Sequence, residues 1–484
     1  MRDDESGGKL VKNTETNGRY HSDWLSMMQE RLIVARDLLS DDGVIFISID
    51  DNEAAHLLGL CDGIFGENSR VGVMKRRAAR KSANLSKSMS DVCDYVAIYC
   101  KSDELGSLSV ETISDSTRPV FNAGNKITLR KIPNGTPARC EDGTYAAGDY
   151  IATSMTYSLK DAMVVKEGML AEDVQVEGPW RVNQDLLNQT IFITKNGGFR
   201  RTLLPEEYGK VKVMNDLLDN SRFYNENGTE ETTALFDNKK IFDTPKPVDL
   251  IKHLVLASSD FGDNQNMIIL DFFSGSSTTA HAVMQLNAED GGNRKHIQVQ
   301  LAEATDPASE AYKAGYKTIP EISRERIRRA AAKIREDYAE QIAKRDTPLD
   351  TGFRAYKLSS SNFTDVRLHP SEALQTTLLG TTDTIKLGRS AEDLLTEVTL
   401  SLGLTLDLPI EQRDIAGHTV YFVGGNSLVA CFDDTVSLDI VDAIGREKPL
   451  LVAFKDSSFA SDEVRINVDI RLKQFSTDIK VKVL

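Results

Sequence analysis

The chain has 484 residues, 40% of them hydrophobic and 27% charged, with a formal net charge of −15. These values exclude wholesale disorder and a collagen-like fibre, and the length suits two or three domains with substantial cores. No apolar run approaches a membrane span, the first ten residues are polar rather than a signal peptide, and five scattered cysteines without CxxC spacing fit a reducing cytoplasm.

Residues 1–20 carry charge and turn formers but no periodicity. Trp24, Met28, Leu32, Ala35 and Leu39 then recur at spacings of three and four, which predicts an amphipathic helix with Ser22 as N-cap and Asp42-Gly43 as its stop. VIFISI, residues 44–49, is the short apolar run of a strand buried on both faces. A second helical pattern passes through Leu57, Leu58 and Cys61 towards Gly66, and helix, buried strand, helix predicts a parallel α/β sheet.

Between Arg70 and Lys101 eight basic residues outnumber two acidic ones, a local charge of +6 inside an acidic chain. That segment contains KRRAARK, Lys75 to Lys81, and ends in a strand-like run, 95–99. Residues 102 to about 235 are rich in Gly, Asn, Asp and Thr and predict a β-containing insertion. Pro245 and Pro247 suit the entry to a helix over 248–258, with Leu250, Leu254 and Val255 on one face. Residues 267–270 read as a buried strand, 271–287 as a turn opening a helix, and 297–301 as a further strand. Residues 321–344 predict a long helix with Ile327, Ala330, Ile334, Tyr338 and Ile342 on one stripe. After a linker at 347–350, the rest predicts a small α/β unit with strands near 418–423, 428–432 and 450–454.

The stretch 268–279 carries the clearest chemistry. A strand ends in Asp271, and a turn of small residues then opens a helix; small residues let a ligand approach the backbone, and the helix start offers unpaired N–H groups. It is neither GxGxxG nor a P-loop, so spacing alone leaves an ordinary strand–helix turn equally open. His21, ahead of a helix, reads as structural. Asp50-Asp51-Asn52-Glu53 lacks the spacing and central glycine of a calcium loop and reads as strand-end and N-cap residues, so no metal site is expected.

Asp271-Phe272-Phe273-Ser274-Gly275-Ser276 resembles the AdoMet-binding motif of amino-methylating DNA methyltransferases. Phe242-Asp243-Thr244-Pro245-Lys246-Pro247 resembles the segment that closes over the methionine part of that cofactor, and 293–301 the next strand, whose Gln300 would meet the ribose. Residues 19–28 and 44–53 are similar to the catalytic half of the same family. The order, catalytic half, variable region, cofactor half, resembles the circularly permuted group that includes modification (Mod) subunits of type III restriction systems. Residues 321–337 and 349–354 extend the resemblance.

In that family a DPPY tetrapeptide at a strand end holds and stacks the flipped adenine. None of the thirteen prolines here is paired with another, and the nearest lookalike, Glu177-Gly178-Pro179-Trp180, lies in the variable region. The family places DPPY upstream of the segment equivalent to 19–24, so an N-terminally shortened chain is expected and no catalytic residue is assigned.

The resemblance implies a doubly wound, Rossmann-like α/β methyltransferase sheet, with a catalytic half at 1–101, target recognition at 102–235, an AdoMet-binding half at 236–346 and an α/β domain at 349–484. It implies site-specific adenine methylation of double-stranded DNA from S-adenosyl-L-methionine, by a homodimer with a restriction (Res) subunit as partner, in the cytoplasm. Cofactor contacts fall on Asp271, Phe272, Phe273, Ser274, Gly275, Thr244, Pro245, Lys246, Pro247 and Gln300, and DNA phosphate contacts on Lys75, Arg76, Arg77, Arg80 and Lys81. The alternatives are a non-catalytic AdoMet- or DNA-binding remnant completed by a second polypeptide, and a nucleotide-dependent oxidoreductase.

Overall fold

The computed structural model describes residues 19–80, 92–102, 105–112, 117–152, 155–207, 211–259, 265–363 and 385–484. Lys81 and most of the first 20 residues therefore lie outside the described residues. The chain divides into two compact units, Met1–Arg354 and Ala355–Leu484.

In the first unit α1 (Tyr20–Leu38) begins earlier than the capping signal suggested. Ser22 lies inside its first turn, where the hydroxyl donates to the Arg19 carbonyl rather than capping. β1 (Val44–Ile49) and α2 (Ala54–Phe65) follow, and Gly66, at φ +97°, ends α2 in a conformation that glycine adopts without penalty. Met28, Leu32 and Ala35 of α1 pack with Leu57 and Cys61 of α2 against Tyr99.

The basic segment is largely strand: β2 (Arg70–Arg77) and β3 (Cys93–Cys100). β1 pairs antiparallel with β3, from Val44 opposite Cys100 to Ile49 opposite Tyr95, and β3 pairs antiparallel with β2. β4 (Leu217–Leu218) adds parallel to β2, giving the order β1–β3–β2–β4. The expectation of a parallel sheet at VIFISI is therefore corrected here. Its partner is itself an apolar run, and the periodicity of one strand carries no information on the direction of the next. β1 is also only partly buried, because it occupies the end of this sheet.

Residues 102–235 hold short antiparallel sheets around a core that includes Phe121, Ile132, Tyr157, Trp180 and Phe199. Next come α3 (Asn225–Leu235), α4 (Val248–Ser258), β5 (Ile268–Asp271), α5 (Thr278–Asp290), β6 (Lys295–Gln298) and α6 (Ile319–Asp337). β5 and β6 are parallel, with Ile268 opposite Lys295 and Asp271 opposite Gln298. β5 was expected to be buried, yet Ile268 is 65% exposed. Thr318 and Glu321 form a capping box at the start of α6, and the long helix expected over 321–344 breaks at Tyr338. Ala280, Met284 and Ala288 of α5 pack on Ile327, Ala330 and Ile334 of α6, where the alanines permit close approach.

The second unit is a five-stranded sheet of β7 (Ile410–Ile415), β8 (His418–Val423), β9 (Leu428–Cys431), β10 (Leu451–Phe454) and β11 (Lys480–Val483), in that order. Alternation along β8 sends Val420 and Phe422 to one core and Tyr421 and Val423 to the other. α7 (Ala391–Ser401) covers one face; α8 (Leu438–Arg446) and α9 (Asp462–Phe475) cover the other. No described helix is long and apolar enough to cross a membrane.

Candidate functional site: the turn after β5

The Asp271 carboxylate accepts from the Thr279 hydroxyl at 2.6 Å and the Phe273 amide at 3.2 Å, tying the strand end to the helix start. Burial pushes its pKa up. Two residues of the turn sit in the left-handed region, Gly275 at φ +50° and Ser277 at φ +61°. For serine this costs on the order of 1–3 kcal/mol, so the surroundings must hold it there. A side chain at 275 would meet the Phe242 ring at 3.5 Å, so the 242–247 segment borders the turn. Phe272 packs on the α1–α2 core, whereas Phe273 is half exposed.

Gln300 lies beyond β6, and its side-chain oxygen accepts from the Gly275 amide at 2.8 Å. That bond closes the turn. Polar groups around the turn nevertheless stay unmatched: the Ser274 and Ser277 hydroxyls, and both ends of the Gln298 amide, are buried without hydrogen-bond partners. Leaving such groups unpaired costs about 1–3 kcal/mol each, which a polar ligand can recover. Residues present at the turn thus fit a ligand with hydroxyl, amine or carboxylate groups.

Sequence reasoning missed what stands behind the turn. Arg326 is 0% exposed, and its Nη1 donates to Ser276 Oγ at 2.6 Å and Thr278 Oγ1 at 2.7 Å. Ser323, one turn earlier, donates to the Gly275 carbonyl. Burial lowers the Arg326 pKa to about 10, partly offset by Glu231. Burial, with Arg326 adding to it, lowers that of His281 to about 3. A signal was available: Ser323 and Arg326 share the phase of the buried residues Ile322, Ile327, Ala330 and Ile334 on α6.

The 242–247 segment runs from the turn towards the basic strands. Pro245 and Pro247 are buried and Thr244 is exposed. Lys246 Nζ lies 3.3 Å from Asp94 of β3; burial, with the Arg76 charge, lowers its pKa. α3 presses against this segment so closely that a β-carbon at Gly228 would fall 2.2 Å from the Pro245 carbonyl oxygen. Glu231 of α3, its own pKa raised by burial, accepts from the Val248 amide at 2.9 Å at the start of α4.

The basic run divides by strand alternation. Lys75 is exposed. Arg76 is 1% exposed and bonds Asp94, the Asn225 side chain at 2.9 Å and the Phe223 carbonyl at 2.6 Å. Its assignment as a phosphate contact is corrected, because the guanidinium faces the interior with protein partners. Arg77 lies over the Tyr224 ring, 5.4 Å from its centroid, and donates to the Ala79 and Arg80 carbonyls. Arg80 is exposed but bonds Asn227 at 2.7 Å and lies 3.1 Å from Glu230. The lookalike 177–180 belongs to a core: Trp180 is buried, and its indole N–H donates to the Val176 carbonyl.

Residues 7–304 match the DNA methylase family. The chain is 30% identical over 95% of its length to the Mod subunit of the type III restriction-modification enzyme StyLTI of Salmonella typhimurium, covering 72% of that protein. It is 28% identical over 94% of its length to the EcoP15I Mod subunit of Escherichia coli, covering 71% of it. It is also 28% identical over 63% of its length to the type II methyltransferase M.KpnI of Klebsiella pneumoniae, covering 74% of it. A family match over most of the first unit, and 30% identity along nearly the whole chain, place this protein in the DNA methylase family among the type III Mod subunits, as a DNA adenine methyltransferase.

Proposed function

We propose that the turn between β5 and α5 holds S-adenosyl-L-methionine, and that the sheet β1–β3–β2–β4 borders the DNA whose adenine receives the methyl group. The observation that carries this reading is the cradle at Gly275, ringed by the unmatched Ser274, Ser277 and Gln298 side chains. Bound there, the cofactor would supply a methyl group activated on a sulfonium, so no metal or covalent intermediate is needed.

The chain's own residues would work by positioning. Asp271 and Thr279 fix the strand end, and Arg326 and Ser323 hold the turn from behind. Gln300 keeps the Gly275 amide oriented and is free to exchange that bond for a ribose hydroxyl. Phe242 to Pro247 would flank the methionine end. Phe273, half exposed beside the turn, offers an aromatic surface. The amine-accepting role stays unassigned.

The parallel pair β5–β6, with α5 alongside and α4 packed on α5, is consistent with the core of a doubly wound, Rossmann-like sheet. Lys75 is the best-placed phosphate contact among the described residues of the run Lys75 to Lys81, with Arg77 and Arg80 able to join by exchanging local partners. Residues 102–235 would read the DNA sequence. The unit from Ala355 onward would serve a homodimer or a Res-type subunit, the kind of partner that the relatives' designation as type III Mod subunits suggests. Cytoplasmic location follows from the DNA substrate.

The test is a methyl-transfer assay with labelled cofactor and adenine-containing duplexes. Incorporation that depends on adenine supports the reading; incorporation into cytosine alone overturns it. A calorimetric titration with the Ser274→Ala/Ser277→Ala variant should show cofactor affinity down tenfold or more.

A further inference from the structure

The acidic run 50–53 has no metal-binding spacing of its own, but the fold brings two histidines to its last residue. Glu53 joins β1 to α2 and is 6% exposed. Its Oε1 lies 2.7 Å from Nδ1 of His21 in the first turn of α1, and its Oε2 lies 3.1 Å from Nδ1 of His56 in the first turn of α2. The two imidazoles stack, with centroids 4.6 Å apart and planes at 29°. Candidate donor atoms of all three residues fall within 4.8 Å of one another. Oε2 is buried and, despite the nearby imidazole, accepts no hydrogen bond.

We propose that His21, Glu53 and His56 bind one zinc-class divalent ion, clamping the start of α1 to the β1–α2 junction. The donor geometry favours an ion: side chains from α1, α2 and the β1–α2 junction converge, and one of their atoms, Glu53 Oε2, is buried without a hydrogen bond. Two nitrogens and one carboxylate oxygen suit zinc, cobalt or nickel, whereas magnesium and calcium require oxygen cages. Bonds of about 2.0–2.2 Å would need the donors slightly farther apart than they now are, a shift that half-exposed histidines can make.

The same half-exposure gives an entry path and a fourth position for water. The positive ends of α1 and α2 oppose a cation here, an effect far smaller than metal–ligand binding. Tyr20 meets His21 edge-on, and Asp23 is paired with Arg19, so neither blocks the site.

A second group, His418, Cys431 and Asp433 in the other unit, provides an internal control. Cys431 lies in the sheet core, and burial raises its thiol pKa, so it holds its proton.

The experiment uses the full chain, stripped with chelator and titrated with Zn2+ by calorimetry and with Co2+ by visible absorbance. One ion should bind, with cobalt d–d bands and no thiolate charge-transfer band. His56→Ala, at a half-exposed position that leaves the fold intact, should weaken binding tenfold or more and abolish the zinc-induced rise in melting temperature. His418→Ala should change neither, and Mg2+ should not compete. Absence of binding, a thiolate band, or unchanged affinity in the His21→Ala/His56→Ala variant overturns the proposal.

Discussion

Arg76 and Arg326 are both fully buried in the first unit, one beneath the basic segment and the other behind the turn after β5, yet their surroundings differ in kind. Arg76 meets a carboxylate, a side-chain carbonyl and a backbone carbonyl, so its charge is paired and its donors are used. Arg326 meets two hydroxyls, and its Nε and Nη2 have no partner. Burial lowers the pKa of each, but only Arg76 has an acid in direct contact. The first arrangement serves stability. The second leaves a net cost in the free protein and holds a turn that a ligand is expected to complete.

The comparison can be broken by substitutions at and between the two regions. Gly228 connects them, since α3 contributes Asn225 to Arg76 and presses on Pro245 beside the turn. Gly228→Ala should cost about 3 kcal/mol or more in urea unfolding, because the clash is with backbone. Arg76→Met should cost about 3–5 kcal/mol, as it takes the donor from the Phe223 carbonyl and the Asn225 side chain and leaves Asp94 with Lys246 alone. Arg326→Met should change stability by about 1 kcal/mol or less, of either sign, while cofactor affinity by calorimetry falls tenfold or more. Equal stability losses in the two methionine variants would erase the distinction.

The region behind the turn also predicts a pH dependence. Burial keeps His281 neutral down to about pH 3, against about 6.5 when unfolded. The unfolded chain therefore binds the extra proton as pH falls through 6.5, and stability drops by up to about 1.4 kcal/mol per unit between 6.5 and 3. His281→Asn should flatten that limb in acid-unfolding curves. The smallest effect belongs to Lys75: Lys75→Ser should leave stability within about 0.5 kcal/mol and reduce the salt slope of DNA binding by about 0.9.

The turn 271–279 was legible because its chemistry is local: an acid at a strand end, small residues and a helix start lie within nine positions of sequence. α4, β1 and β8 were legible for the same reason, their bounds matching the expected runs. Arg326 was not, since its partners Ser276 and Thr278 are 50 and 48 residues away. Nor could the run Lys75 to Lys81 reveal that alternation turns Arg76 inward, because charge density reports composition and not facing. The antiparallel pairing of β1 depends on β3, which starts only at Cys93, and the bond from the Gly275 amide to Gln300 joins positions 25 residues apart.

The central claim is that the Gly275 turn is where the cofactor binds, and calorimetric titration of S-adenosyl-L-methionine into the intact chain and its Gly275→Asp variant tests it most directly. Asp at φ +50° would place a carboxylate against Phe242 in the cradle. The account predicts one-site binding to the parent chain and none detectable to a variant whose circular dichroism is unchanged. Equal affinity in the two proteins would contradict it.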